Sequence, residues 1–286
     1  MIPDSFDYYA PTSLEEAIGL LQQHGDDAKI LAGGHSLIPL MKLRLAAPQV
    51  LIDISRVSGL NEISEEDGTI VIGALCTHAQ IADSSIVQSG APALSAAAGQ
   101  IGDQQVRNVG TIGGNLAHAD PASDLPAVAL ALDAELVATG PSGERSILAS
   151  SFFQGLMMTS LGADEILTSV KIPAVGAGSG SSYAKCENPA SRYAIVGVSA
   201  VVNVNDGVCS SARIGVTGAG SVAVRATAAE GVLAGSSLDD AAITSAADAV
   251  PGDVDIIGDI HASAEYRAEL LKIYTRRAIA AAVEAA

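Results

Sequence analysis

Two glycine pairs, each following a short apolar run, are the residues in this chain best suited to bind an anion. The first pair lies in Ala-Gly-Gly-His-Ser, residues 32–36, just after the run that begins at Lys29. Glycines after a strand let consecutive backbone N–H groups converge with no Cβ atom in the way, and such a nest binds anionic oxygens. Ser36 adds a hydroxyl donor, and we expect the ammonium group of Lys29 at the approach.

The second pair lies in Thr-Ile-Gly-Gly-Asn, residues 111–115, and predicts a second nest of the same kind. Thr111 and Asn115 are its side-chain donors. Two such nests suit both phosphates of a pyrophosphate. The alternative is that either pair only makes a tight turn, because glycine is common in turns.

A dinucleotide fingerprint of the form G-x-G-x-x-G/A is matched by Gly218, Gly220 and Ala223, and Asp239 stands near the distance of a ribose contact. Asp239 lies in Ser-Ser-Leu-Asp-Asp-Ala-Ala, however, where it is better suited to begin a helix than to end a strand. The pattern alone is weak evidence for a nucleotide site.

Three polar residues follow the second glycine pair. His118 and Asp120 suggest a metal site or part of a hydrolytic triad, but no second His stands at ligand spacing and no G-x-S-x-G motif is present, which favours a simple turn. Asp124 comes directly before an apolar helical segment. Its carboxylate either caps that helix or accepts a hydrogen bond from a ribose hydroxyl.

Composition excludes several classes of protein. The 286 residues carry 15 Lys and Arg against 32 Asp and Glu, a formal charge of −17, so nucleic acid and anionic membrane surfaces are excluded as main partners. Cys76, Cys186 and Cys209 lie too far apart for an iron–sulfur cluster or a disulfide framework. No apolar run reaches the ~20 residues that cross a bilayer, and the first residues do not form a secretory signal. We therefore expect a cytoplasmic protein without a transmembrane segment.

The pattern of apolar residues predicts a mixture of helices and strands. Ser13 and Glu16 form a capping box for a helix over 13–24, which Gly25 ends. Asn205-Asp206-Gly207 predicts a hairpin. The other predicted strands are 29–34, 50–54, 68–75, 134–140 and 165–173, and the other predicted helical segments are 91–132, 223–234, 238–249 and 264–284.

The Gly- and Ser-rich segment 176–182 predicts a flexible connection and hence a domain boundary. We expect one domain over 1–177 and a second over 178–286, the latter containing three strands followed by helices.

Three stretches carry a resemblance to a known family. These are AGGHSLIPLMKLRLA with VLIDISRVSGL, QVRNVGTIGGNLAHADPASDLPAVALALDAELV, and the terminal SAEYRAELLKIYTRRAI. They resemble the FAD-binding medium subunit of molybdenum hydroxylases, in particular the carbon monoxide dehydrogenase and xanthine dehydrogenase types. The resemblance implies an α+β fold with a two-subdomain FAD-binding region (PCMH-type), followed by a smaller α+β domain with a three-stranded sheet.

The resemblance also implies cofactor-binding residues. The two turns match the loops that hold the FAD pyrophosphate, Asp124 matches a carboxylate that contacts the cofactor, and Tyr193 matches an aromatic residue beside the isoalloxazine, the alternative being an ordinary strand residue. The complete implied set is Lys29, Ala32, Gly33, Gly34, His35, Ser36, Thr111, Ile112, Gly113, Gly114, Asn115, Asp124, Leu167, Lys185 and Tyr193. No residue is expected to act as a catalytic acid, base or nucleophile, and none to bind a metal.

The chain departs from the family pattern at Cys186-Glu187-Asn188-Pro189 and at Arg192, which changes the polarity expected around the flavin.

The resemblance implies a chain of electron transfer. A molybdopterin-binding large subunit passes electrons to a [2Fe–2S] small subunit, which passes them to the FAD of this chain, and FAD passes them to an external acceptor. The implied assembly is a dimer of heterotrimers. Two other hypotheses remain: a stand-alone FAD- or NAD-dependent dehydrogenase with its own substrate site, and a nucleotide-binding assembly module.

Overall fold

Three larger β-sheets, each with its own helices, follow one another along the chain, together with a two-stranded sheet formed by Phe153–Gly155 and Met158–Thr159. The computed structural model describes residues 2–286. The first sheet is parallel, with its strands in the order β1-β3-β2. Ser13 Oγ accepts a hydrogen bond from the N–H of Glu16 at 3.2 Å, and Gly25, at a φ of 52°, ends the predicted helix. This region consists of β1 (Asp7–Tyr9), α1 (Leu14–His24), β2 (Ala28–Leu31), α2 (Leu37–Lys42) and β3 (Val50–Asp53).

The second sheet is antiparallel, in the order β4-β5-β10-β6-β7, and most of its helices come from the predicted helical segment 91–132. All seven residues of α8 are buried, which explains the uninterrupted apolar run after Asp124. The elements are β4 (Ile63–Glu66), β5 (Thr69–Gly73), α3 (His78–Asp83), α4 (Ser85–Gly90), α5 (Pro92–Gln100), α6 (Gln104–Arg107), α7 (Ile112–His118), α8 (Leu125–Ala131), β6 (Glu135–Gly140), β7 (Gly143–Leu148), α9 (Ala149–Phe152), β8 (Phe153–Gly155), β9 (Met158–Thr159) and β10 (Ile166–Pro173).

The third sheet is antiparallel, in the order β11-β12-β13-β14. The predicted three-stranded sheet is present as three long strands, and the two-residue β14 extends its edge. Asp206 and Gly207 have φ values of 50° and 77° and form the predicted hairpin between β12 and β13. The elements are β11 (Ser179–Glu187), β12 (Ala194–Asn205), β13 (Val208–Thr217), β14 (Val224–Arg225), α10 (Thr227–Leu233), α11 (Asp240–Ala249) and α12 (Ala264–Glu284).

The predicted flexible connection over 176–182 is wrong for its second half, because residues from Ser179 onward form β11. These small residues are needed for packing rather than for flexibility. A Cβ atom on Gly180 would overlap the carbonyl oxygen of Ala282 in α12, and Ser182 Oγ donates to the carbonyl of Ala278 at 2.6 Å. Small side chains therefore let α12 lie directly on β11.

The boundary between residues 177 and 178 stays a prediction. Tyr183 and Val201, beyond the boundary, belong to the same hydrophobic cluster as Ile70 and Leu136, before it. The region after residue 177 thus packs against the region before it.

The backbones of these regions approach each other closely at Gly215 in β13. A Cβ atom there would overlap the carbonyl oxygen of Ala127 in α8. We therefore expect Gly215→Ala to lower the free energy of unfolding by about 1–3 kcal/mol, measured by urea denaturation.

Gly231→Ala is the matched control, because Gly231 is exposed in α10 and nothing lies within 4 Å of an added Cβ atom. This change should stabilise the protein by about 0.5–1 kcal/mol through helix propensity. Equal destabilisation by both substitutions would contradict the packing argument.

Candidate functional site

A cleft of about 900 Å³ lies between the first sheet region and the second, and both glycine turns line it. The turns meet through backbone rather than side chains, since a Cβ atom on Gly33 would overlap the carbonyl oxygen of Val109. The structure brings all of the predicted cofactor-binding residues to the cleft lining except Ile112 and Lys185. Ile112 is 1% exposed and belongs to the hydrophobic core.

The first turn has the free backbone donors that the sequence predicts. Among residues 2–286 we find no hydrogen-bond acceptor for the N–H groups of Gly33, Gly34, His35 and Ser36. Gly34 has a φ of 70°, a conformation that favours glycine. Consecutive free N–H groups on a cleft wall form an anion-binding concavity that needs no cationic side chain.

The second turn differs from the prediction of an equal nest. Its N–H groups are already engaged: Ile112 donates to the carbonyl of Cys76 at 3.0 Å, and Gly113 donates to that of Ala74 at 2.8 Å. Thr111 caps α7 by accepting from Gly114 at 3.2 Å. The second turn therefore forms a rigid wall of the cleft. It contributes an open surface above Gly114 rather than free N–H donors.

Asp124 stands at the N-cap position directly before α8, but its side chain makes no capping hydrogen bond to that helix. Its Oδ1 atom accepts from the hydroxyl of Tyr183 at 2.5 Å and lies 3.0 Å from Nζ of Lys185. Its Oδ2 atom has no hydrogen-bond partner among the residues described, and Asp124 lines the cleft. Of the two alternatives for this carboxylate, contact with a ligand in the cleft is the one that the geometry favours.

Burial dominates the electrostatics of this cluster. It raises the pKa of Asp124 against the opposing attraction of Lys185 and the hydrogen bond from Tyr183. The pKa of Tyr183 lies well above its usual value, because the phenol is buried beside that carboxylate. Sequence reasoning missed Tyr183. Its spacing of two residues from Lys185 on one strand, which puts both side chains on the same face, is the signal that could have found it.

Tyr193 lies at the cleft with 43% of its side chain exposed, so it is not an ordinary core residue. Its pKa is raised by partial burial and by the carboxylates of Asp120 and Asp124, so the phenol keeps its proton at neutral pH. The preceding loop contains the departures from the family pattern. There Asn188 Oδ1 accepts from the N–H of Ala190 at 2.9 Å, and Arg192, which the sequence did not assign to the site, also lines the cleft.

Among the remaining candidates, His118 lines the cleft, whereas Asp239 and Asp120 have structural roles. Asp239 caps α11 by accepting from the N–H of Ala242 at 2.9 Å, and Asp120 Oδ1 accepts from the N–H of Ala122 within a turn at 2.9 Å. Within residues 2–286, no group of three or more His, Cys, Asp or Glu side chains could hold a metal ion. No helix in that range is long and apolar enough to cross a membrane.

His78 is a second residue that sequence reasoning missed. It is 3% exposed under the second turn, and its N–H donates to the carbonyl of Gly110 at 3.0 Å. Burial, together with His35 and Arg107, lowers the pKa of His78 from 6.5 to about 4. The imidazole is therefore neutral in the folded protein at pH 7.

Acid should destabilise the protein through His78. The unfolded chain takes up this proton near pH 6.5 and the folded chain only near pH 4, so stability is lost as the pH falls through that window. Relative to pH 8, we expect a loss of about 2 kcal/mol at pH 5 from this group. Urea unfolding of the wild type and of His78→Met at both pH values measures it, and an identical pH dependence in the two would contradict the assignment.

A cleft with a row of unpaired backbone N–H groups and a buried carboxylate on its lining has the features expected of a site for a nucleotide cofactor. The comparisons with known proteins agree. The family described as FAD binding domain in molybdopterin dehydrogenase matches residues 4–175, and the CO dehydrogenase flavoprotein C-terminal domain matches residues 181–282. The chain belongs to this family of FAD-binding medium subunits, which are parts of molybdenum-containing oxidoreductases.

Similar proteins cover the whole chain. The 6-hydroxypseudooxynicotine dehydrogenase complex subunit alpha of Paenarthrobacter nicotinovorans is 42% identical over 100% of this chain and 97% of its own length. The carbon monoxide dehydrogenase medium chain of Hydrogenophaga pseudoflava is 40% identical over 99% of this chain and 98% of its own. A solved structure of carbon monoxide dehydrogenase from that organism matches with a TM-score of 0.97, 42% identity and complete coverage of both chains.

Proposed function

We propose that the cleft holds FAD with its pyrophosphate against the first turn, and that the chain uses it to pass electrons from a partner subunit to an external acceptor. The observation that carries this proposal is the row of free N–H groups from Gly33 to Ser36 on the cleft wall. The chain has a net charge of −17, so its side chains as a whole repel a phosphate. The dipoles of these backbone N–H groups supply the local attraction instead.

The cleft also suits the rest of such a cofactor. Its volume of about 900 Å³ is within the range of sites that bury a sizeable organic ligand. The open surface above Gly114 lets a diphosphate approach the second turn, and the Oδ2 atom of Asp124 accepts from a hydroxyl of the cofactor. Leu167 supplies apolar contact, and Tyr193 covers the flavin ring.

When bound, FAD supplies the redox chemistry, and the chain binds, orients and shields it. The first turn would bind the diphosphate, and Asp124 would orient the cofactor through one of its hydroxyl groups. Tyr193 excludes water from one side of the ring and, as a neutral phenol, adds no charge there. Lys29 and Arg192 provide positive charge at the edge of the cleft.

The proposed partners are a molybdopterin-binding large subunit and a [2Fe–2S] small subunit, assembled as a dimer of heterotrimers in the cytoplasm. Support comes from the relatives, which are named as subunits or medium chains of dehydrogenases. The three cysteines are free, and no group of three or more metal-ligating side chains lies within residues 2–286, which is consistent with metal centres held by other chains. The large subunit would then choose the substrate.

Gly114→Val should abolish flavin retention. An added side chain at Gly114 would lie 2.9 Å from Thr111 Oγ1 and 3.8 Å from the Cβ atom of Ala32, in the space between the two turns. Flavin released on denaturation, measured per chain, checks this. Gly19→Val is the control, since Gly19 is exposed in α1 with nothing within 4 Å, and its flavin content should equal that of the wild type.

Purification of the chain alone, and with the proteins encoded beside it, tests the assembly. We expect the complex to show the absorption of oxidised flavin and to contain molybdenum and iron, whereas the chain alone turns over no substrate. A colourless complex would refute the cofactor. Substrate turnover by the isolated chain would instead favour a stand-alone dehydrogenase.

A further inference from the structure

Lys185 uses all of its ammonium hydrogens inside the protein. Its Nζ atom donates to the carbonyl of Gln100 at 3.0 Å and to that of Arg192 at 2.8 Å, and it lies 3.0 Å from Oδ1 of Asp124. The side chain is 1% exposed and does not line the cleft. An ammonium group has three N–H donors, so none is left for a ligand.

The Arg192 contact fixes the loop that carries Tyr193. Arg192 has a φ of 60°, in the left-handed region that residues other than glycine seldom adopt. Several other bonds of this loop are local: Asn188 Oδ1 accepts from the N–H of Ser191 at 3.1 Å, and the carbonyl of Asn188 accepts from the N–H of Arg192 at 2.8 Å. These local bonds set the shape of the loop. Directly after the loop, the N–H of Ala194 donates to the carbonyl of Ala122 at 3.1 Å and anchors its end.

The contact between Asn188 and His261, 3.2 Å from Nδ2 to Nδ1, also links this loop to a distant segment. It is exposed, whereas the Lys185 ammonium is buried and charged, so the hydrogen bond from Lys185 to Arg192 is the stronger of these two restraints. Through the same ammonium, Lys185 also contacts Asp124, which lines the cleft.

We propose that Lys185 is a positioning residue rather than a cofactor ligand. It holds Tyr193 at the cleft through the carbonyl of Arg192 and ties that loop to Asp124. The inference rests on the proposed function only in assigning Tyr193 to the flavin ring.

Hydrogen exchange of the full chain tests the positioning without any cofactor. We expect amides 190–193 to exchange about tenfold faster in Lys185→Met, because a charge-assisted bond to the loop is lost. Lys185→Met also leaves the Asp124 carboxylate buried without its cation. The double variant Lys185→Met/Asp124→Asn removes that charge and keeps the test valid if the single variant folds poorly.

Tyr183→Phe is the matched control. It removes the other donor to Asp124 but leaves the Arg192 contact intact, so the loop should exchange as in the wild type. Wild-type exchange in both Lys185 variants would overturn the proposal. So would restoration by the double variant, since Lys185 would then only neutralise Asp124, or equal acceleration by Tyr183→Phe.

Flavin fluorescence in the assembled complex gives an independent measure, because a phenol in contact with the ring quenches its emission. We expect brighter emission per bound flavin in Lys185→Met/Asp124→Asn than in Asp124→Asn alone, and wild-type emission in Tyr183→Phe. Equal emission in the double variant and in Asp124→Asn would contradict the positioning role. Lack of flavin in the wild-type complex would instead refute the proposed function and leave the exchange measurement as the test of Lys185.

Discussion

The cleft depends on the approach of two backbones, that of Gly33 after β2 and that of Val109 and Gly110 before α7. No side chain fits between these two segments, so their backbones are in direct contact. Glycine is required by this geometry, not by flexibility. Each further feature of the site, including the free donors of the first turn and the open surface above Gly114, follows from how closely these two segments meet.

A second layer of organisation joins the C-terminal region to the cleft. Lys185 and Tyr183 project from one face of β11 and meet at a single oxygen of Asp124. A buried ion pair adds little net stability. It constrains the positions of its two partners strongly, however, because either partner alone would be an uncompensated buried charge. The β11 strand thus fixes the carboxylate through Oδ1 and leaves Oδ2 without a hydrogen-bond partner among residues 2–286.

The local features of the sequence predicted local structure well. The cap at Ser13, the turn at Asp206-Gly207 and the helix that begins at Asp239 each depend on residues within a few positions, and the structure has them. The two glycine pairs do face one cleft. Other features depend on contacts between distant residues, which the sequence does not reveal. The carbonyl groups of Cys76 and Ala74 accept from the N–H groups of the second turn. Likewise, the carbonyl groups of Gln100 and Arg192 accept from the ammonium group of Lys185. The small residues of β11 have the composition of a flexible linker. Only the packing of α12 on them shows that they belong to a strand.

The two turns contribute to the cleft by different physical means. The N–H groups of the second turn bond to the residues just after β5, so tertiary contacts within the chain fix the shape of this wall. The N–H groups from Gly33 to Ser36 have no acceptor among residues 2–286, so their dipoles add to the potential inside the cleft. One wall therefore determines the shape of the cleft, and the other determines its preference for negative charge.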